Sequence, residues 1–335
     1  MRDAMNGLPS APDALSPVPL PDPLREYVSL RRGPGQLVAF VALLAGAKPV
    51  LDDWVDARDL DTFMAFARRL GLFAVVNAYF GFIADPAETD EIIGGSQLNT
   101  TRARGYPPWH APTGAAHVFL ARDQRGLDAA VAHGWYPLAI DGRVVDKPWI
   151  DHFHFGHHLG YPECCRRFFA RHNDWNHDNN LYQAFRRTKS ASYLCNSLLK
   201  HSGLSYSVHL PCSFDCPASL ERARAVRDAV IEVCPDLAAY VDEQLRRPYV
   251  VLSEWDAFRL DGTVTPAGRV NYSAARAVPS NRPNKRLGAD LSSGDGVEIE
   301  GDVVRIYQGS SVISTYQAVS DRYGPEVPFV VDFAG

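Results

Sequence analysis

The sequence of 335 residues lacks the short motifs of several large enzyme classes. It contains no GxxxxGK(S/T) phosphate loop, no GxGxxG dinucleotide motif and no HExxH motif, so nucleotide-binding and zinc-protease functions have no support. Lysine is scarce, with five lysines against 29 arginines, and the net charge is −5. Because the chain has no overall basic character, we expect no nucleic-acid partner.

The chain also lacks a long apolar run. Its most apolar segment, Leu37–Ala45, is far shorter than the ~20 residues that cross a bilayer. Arg31 and Arg32 precede this segment and small residues follow it, as in a secretion signal. However, 30 residues come before the arginines and no Phe or Leu follows them directly, which favours a buried helix or strand. We predict a cytoplasmic protein with no membrane partner.

Strand-like and helix-like patterns alternate along the first half of the chain, and strand-like patterns dominate its end. This order predicts an α/β fold class, α+β overall. Four regions are predicted: a disordered proline-rich leader, an α/β domain, a helical region rich in cysteine and histidine, and a small β-rich C-terminal domain. They cover residues 1–30, 31–150, 151–247 and 248–335.

Helix-like spacing and turn residues define the elements around the candidate site. Helices are predicted over 151–160, 162–172, 179–202, 217–234 and 235–246. Long polar segments predict loops over 94–113 and 273–296.

Six cysteines are too few for a disulfide scaffold in a chain of this length, so their clustering matters more than their number. Four of them form two close pairs: Cys164 with Cys165, and Cys212 with Cys216. Cys195 and Cys234 stand alone in apolar surroundings, and we expect both to be buried core residues.

A histidine-rich segment precedes the first cysteine pair. His154, His157 and His158 are spaced i, i+3 and i+4, so they share one face of a predicted helix. Asp151 is the expected N-cap of this helix. The residues from Gly160 to Pro162 are expected to end it.

Both cysteine pairs are predicted to lie at helix starts. Pro162 suits the first position of the helix that carries Cys164 and Cys165, and Pro217 suits the first position of the helix after Cys216. Unpaired N–H groups and the positive end of the helix dipole favour thiolates there. We therefore predict that the two pairs meet in one centre.

Metal binding is the favoured chemistry for this centre. Adjacent cysteines direct their side chains apart, which makes the binding of one zinc ion by both Cys164 and Cys165 awkward. A multi-iron cluster accommodates neighbouring thiolates more readily. The predicted cofactor is an iron–sulfur cluster or iron, with zinc as the alternative. A mixed site that includes one of these cysteines and His157 or His158 stays open.

The predicted function is a metalloenzyme that acts on a small molecule in a biosynthetic or tailoring step. His157 or His158 would be the fourth ligand or a proton shuttle. Glu163 is either an ordinary first-turn acid or a proton-transfer group. Arg166 and Arg167 would balance thiolate charge or contact an anionic substrate.

Two other functions compete with this hypothesis. In the first, Cys164 is the nucleophile of a metal-free transferase or hydrolase, with His157 or His158 as its base. In the second, the chain is a binding module for a small molecule or protein, and a structural zinc ion only holds its helices together.

The segments LGYPECCRRFF and HLPCSFDCPAS resemble an uncharacterised prokaryotic family with a Gly-aromatic-Pro-x-Cys-Cys motif and a later Pro-Cys-Ser-x-x-Cys motif. The resemblance implies that Cys164, Cys165, Cys212 and Cys216 belong together, and it implies no activity. Heterodisulfide-reductase-type cysteine-rich domains are similar only in part, because Arg166 replaces the glycine of their Cys-Cys-Gly step. Cysteine-rich epoxyqueuosine reductases also have adjacent cysteines, but at the start of the chain.

Overall fold

The structure is a computed structural model with helices and strands throughout, so the predicted α+β class is confirmed. The residues that it describes are 15, 18–82, 103–106, 114–134, 136–140, 143–149, 152–172, 179–253, 256–278, 284–321 and 324–334. The chain divides into an N-terminal unit, Leu20–Ala170, and a C-terminal unit, Arg171–Gly335 with Met1–Pro19. The division into four regions stays a prediction.

The N-terminal unit alternates helices and strands. Its helices are α1 (Asp22–Arg31), α2 (Leu37–Leu44), α3 (Leu60–Arg69), α4 (Gln124–Ala132) and α5 (His152–His158), and α6 (Glu163–His172) begins in it. Its strands are β1 (Val50–Asp56), β2 (Phe73–Phe82), β3 (Ala103–Tyr106), β4 (Gly114–Ala121), β5 (Tyr136–Ile140) and β6 (Arg143–Trp149).

The main sheet of this unit has the order β1–β4–β2–β3, and every neighbouring pair is antiparallel. Strands β5 and β6 form a separate antiparallel pair. Within the predicted loop 94–113, residues 103–106 form β3, and residues 94–102 and 107–113 lie outside the described ranges. Asp151, the expected N-cap of α5, also lies outside them.

Apolar helices fill the core of this unit. Helix α2 is apolar all round and is buried from Leu37 to Leu43, which agrees with the prediction of a buried element there. Helices α4 and α5 pack with β1 and β4 in one cluster, whose buried members are Val50, Phe119, Ala121, Leu127, Ala130, Phe155 and Leu159. This cluster fixes the position of α5. Among the helices of the described ranges, none has the length and apolar character needed to cross a membrane.

Helix α1 lies where the sequence predicts the end of a disordered leader. Leu24 and Tyr27 are buried on the inner face of the helix, one turn apart. The Tyr27 hydroxyl donates to Asp53 over 2.5 Å, and the Arg31 guanidinium donates to the same carboxylate. These contacts hold residues 22–31 against β1. Residues 1–14, 16 and 17 lie outside the described ranges.

The C-terminal unit is helical first and β-rich afterwards. Its helices are α7 (Asn180–Arg186), α8 (Pro217–Val233), α9 (Pro235–Leu245) and α10 (Lys285–Ser293), with short 3₁₀ turns at Tyr193–Cys195 and Lys200–Ser202. Its strands are β7 (Tyr249–Ser253), β8 (Asp256–Val264), β9 (Val270–Ala277), β10 (Gly296–Glu300), β11 (Val303–Gln308), β12 (Ser311–Gln317), β13 (Ser320–Asp321), β14 (Gly324–Pro325) and β15 (Phe329–Val331).

Seven of these strands form an antiparallel sheet in the order β12–β11–β10–β9–β8–β7–β15. Helix α10 packs on it through the buried Leu287 and Leu291, which are one turn apart. The predicted loop 273–296 is therefore wrong over α10, and also over residues 273–277, which belong to β9. The Asn284 side chain accepts a hydrogen bond from the backbone N–H of Leu287 and caps this helix. Asparagine is a common N-cap residue, so the polar segment itself contains a sign of the helix start.

The predicted helix 179–202 is also wrong beyond Arg186. The Thr188 hydroxyl donates to the carbonyl of Ala184 and accepts from the backbone N–H of Phe214. The backbone N–H of Ser192 donates to the carbonyl of Phe214. Serine and threonine side chains offer the backbone such alternatives to a helix. The segment therefore pairs with the loop that carries Cys212.

Candidate metal centre

The first cysteine pair lies at the start of α6, as predicted, although the helix begins at Glu163 and Pro162 precedes it. Helix α5 ends at His158, Gly160 follows with a left-handed φ of 80°, and the backbone N–H of Tyr161 donates to the carbonyl of Gly156. The carbonyl of Pro162 then accepts from the backbone N–H of Arg166 over 3.0 Å, which is the first bond of α6. Cys164 and Cys165 therefore occupy its first turn.

The second cysteine pair leads into α8. Pro217 is the first helical residue, as predicted, and Cys216 is the N-cap residue, whose carbonyl accepts from the backbone N–H of Leu220 over 2.9 Å. The Asp215 carboxylate accepts from the backbone N–H of Lys189 over 2.8 Å and holds the preceding turn in place.

The four sulfur atoms lie together. The Sγ atoms of Cys164, Cys165, Cys212 and Cys216 are all within 4.8 Å of one another. The prediction that the two pairs meet is confirmed, and the group has the donor atoms to hold a metal ion. Cys165 and Cys216 are buried, Cys212 is half-buried and Cys164 is exposed.

The expectation that the adjacent cysteines diverge is wrong. The Sγ atoms of Cys164 and Cys165 are 3.9 Å apart. Successive side chains of a helix are rotated by about 100° rather than by the half-turn of a strand. Rotation about Cα–Cβ can therefore bring both sulfurs to one point.

The two remaining cysteines are buried, as predicted, and neither belongs to the sulfur group. Burial raises the pKa of Cys195 to about 12, with a further contribution from Cys216, so Cys195 is a neutral thiol at physiological pH. Cys234 is the N-cap residue of α9 and precedes Pro235. Cys216 has the same local arrangement before Pro217.

The histidines form a cluster of their own. The sulfur group includes neither His157 nor His158. Instead, Nε2 of His158 lies 3.1 Å from Nδ1 of His133, and the ring of His154 stacks on that of His133. Burial lowers the pKa of His158, and the neighbouring His133 lowers it further. The ring of His158 is therefore predominantly neutral at pH 7.

The charged residues of α6 are occupied by local contacts. Arg166 donates to the carbonyls of Phe153, over 2.7 Å, and Tyr161, over 3.2 Å, and its guanidinium covers the Phe153 ring. Arg167 and Glu163 form an exposed ion pair. The hydrogen bond and charge of Arg167 lower the pKa of Glu163, so this carboxylate is ionised at neutral pH. The catalytic and substrate-binding roles of these residues stay predictions.

The sequence gives no indication of the surroundings of two residues, His133 and Asp256. His133 lies just after α4 and reaches the α5 histidines only through tertiary packing, so no local spacing connects them. Burial raises the pKa of Asp256 to about 7, although its carboxylate accepts from the backbone N–H of Asn284 over 3.0 Å. An acidic residue at a strand start carries no local sign of that burial.

No family model, curated protein or solved structure matches this chain. The chemistry of the sulfur group is therefore inferred from its own residues.

Proposed function

We propose that Cys164, Cys165, Cys212 and Cys216 bind a single metal ion in a tetrahedral site of four thiolates, and that the protein is a zinc or iron metalloprotein. A metal–sulfur bond of about 2.3 Å places the sulfurs of such a site about 3.8 Å apart. The separations in the structure, 3.9 Å for the adjacent pair and at most 4.8 Å for all four, lie close to that value.

The same separations favour one ion over an iron–sulfur cluster. In a cubane cluster each cysteine binds a different iron, so the cysteine sulfurs stand roughly 6 Å or more apart. The sulfur group is more compact than that. Within the metal hypothesis, the spacing therefore favours mononuclear zinc or iron.

Four thiolates complete the coordination shell of a tetrahedral ion. A complete shell is typical of structural zinc and of iron that transfers single electrons. Catalysis on a small molecule in a biosynthetic step would need a coordination position that opens. Cys164 is the ligand suited to leave, because it is exposed whereas Cys165 and Cys216 are buried. A metalloenzyme of this chain would therefore work at the Cys164 side of the ion.

A second candidate function rests on the same exposed sulfur. Cys164 is exposed and lies in the first turn of α6, so a substrate can reach its thiol as a nucleophile. This candidate needs no metal, so metal analysis distinguishes the two.

The test is metal analysis of full-length protein purified without oxygen, together with its visible spectrum. One zinc per chain without colour, or one iron with thiolate-to-iron charge transfer after oxidation, supports the proposal. Several irons with an equal amount of inorganic sulfide overturn the mononuclear site. Protein without metal whose Cys164 alone reacts rapidly with iodoacetamide overturns it in favour of the nucleophile.

A further inference from the structure

The histidine cluster of the N-terminal unit has a geometry of its own. His154 and His158 lie one turn apart on α5, and His133 follows the last residue of α4. The His133 ring stacks on both, with ring centroids 5.4 Å from His154 and 4.9 Å from His158 and interplanar angles near 30°. Three imidazoles from two helices therefore share one small region.

The spacing of two of these rings is that of metal ligands. Nε2 of His158 is 3.1 Å from Nδ1 of His133. Two nitrogens bound at 2.0–2.1 Å to one tetrahedral ion are about 3.3 Å apart. An ion bound to both nitrogens would lie to one side of the line between them and would replace the ring proton of His133, whose Nδ1 also lies 3.2 Å from the carbonyl oxygen of Ala129. His154 and His158 are spaced i and i+4 on α5, a spacing at which two imidazoles can bind one ion, so a change of rotamer at His154 would bring its ring nitrogen to the pair.

The scaffold under the cluster is a packed apolar core. Leu127 and Ala130 of α4 pack in one buried cluster with Phe155 and Leu159 of the α5 segment. This packing fixes the distance between the two helix segments that carry the rings.

We propose that His133, His154 and His158 form a second metal site, separate from the cysteines, that takes a divalent ion of the zinc, nickel or copper type. Imidazole nitrogen suits these ions, and three protein ligands leave a position for water or a small anion. His154 is exposed and the other two are half-buried, so solvent reaches the open position.

The test is a Co²⁺ titration of full-length protein whose cysteine site already holds its native metal. Cobalt bound by imidazoles has weak visible bands, and cobalt bound by thiolates has an intense charge-transfer band, so the spectrum reports which site fills. We expect one additional Co²⁺ per chain with weak bands only. His133→Ala and His158→Ala should each weaken binding by at least about tenfold.

Two variants on other histidines complete the experiment. His201→Ala, an exposed histidine of the C-terminal unit, should bind Co²⁺ like the wild type. His157→Ala tests the ligand set, because this histidine is on α5 but outside the proposed three. Unchanged binding after His133→Ala and His158→Ala, in variants whose circular dichroism shows a folded chain, overturns the site. Loss of binding in His157→Ala alone overturns it equally.

Discussion

The cysteine group and the histidine cluster, with Cys164 only six residues after His158, differ in donor, burial and openness. The cysteine group has four soft donors, three at helix starts and Cys212 in the loop before α8, and two of the four are buried. The histidine cluster has three nitrogen donors, one of them exposed and none fully buried. Closed sulfur sites suit structural or electron-transfer ions, whereas nitrogen sites with an open position suit exchangeable ions. One short segment thus contributes to two centres with different expected chemistry.

The largest effect is expected from Cys216→Ser. This variant removes a buried ligand and leaves three thiolates with an incomplete coordination shell. We expect loss of the metal and destabilisation by at least about 3 kcal/mol, because metal binding contributes directly to the free energy of unfolding. Metal content and urea denaturation measure both effects.

The matched control for this variant is Cys234→Ser. Cys234 is also a buried N-cap residue before a proline, but it lies outside the sulfur group. We expect it to retain the metal and to lose only about 1 kcal/mol. Equal losses in the two variants would mean that Cys216 is an ordinary core cysteine.

A smaller effect is expected from Cys164→Ser. Its sulfur is exposed, so water replaces it at the ion without a buried cavity. We expect the metal to remain bound with an affinity lowered by about 10- to 100-fold, while the free energy of unfolding changes less than in Cys216→Ser. Competition with a chelator of known affinity measures this change. Complete loss of metal here would contradict the proposed difference between exposed and buried ligands.

Arg166→Lys tests whether the two centres are independent. Arg166 joins α5 to α6 through the carbonyls of Phe153 and Tyr161, and lysine cannot reproduce this forked contact. We expect destabilisation by about 1–2 kcal/mol with native metal content at the cysteine group. Denaturation and metal analysis of the variant give both values. Loss of the cysteine-bound metal would show that the centre depends on α5.

The smallest effect is expected from pH. Because the pKa of His158 is lowered in the folded chain, the unfolded chain binds more protons below the ordinary value of about 6.5. Stability should therefore fall as the pH drops through that region, and His158→Gln should weaken this dependence. Denaturation curves between pH 5 and 8 measure the effect. A steeper pH dependence in the variant would contradict the neutral state of the ring.

The sequence predicts the parts of the site that depend on local signals. Pro217 correctly marks the start of α8, and the Gly160 turn correctly follows the end of α5. The two cysteine pairs near helix starts correctly predict that their four sulfur atoms lie together. Cysteine before a helix-starting proline is not sufficient by itself, since Cys234 has the same arrangement outside the group. The presence of a second cysteine nearby in the sequence, rather than a position before a helix, therefore indicates membership of the sulfur group.

The rest depends on packing that local patterns do not contain. His133 meets His158 only because α4 and α5 bury their apolar faces together. The end of α7 depends on Thr188, whose partners are Ala184 in the same helix and Phe214 in a distant loop. The convergence of the adjacent cysteines depends on the helical rotation between them.

The left-handed turn at Gly160 determines how α6, which carries Cys164 and Cys165, is oriented relative to the histidines of α5. If the turn did not absorb a residue inserted or deleted between His158 and Pro162, α6 would shift by about 1.5 Å along its axis and about 100° around it. A single such change would misdirect the sulfurs of Cys164 and Cys165 while leaving every donor residue in the sequence. Among descendants of this chain that use both centres, the turn should keep its length even where its side chains differ.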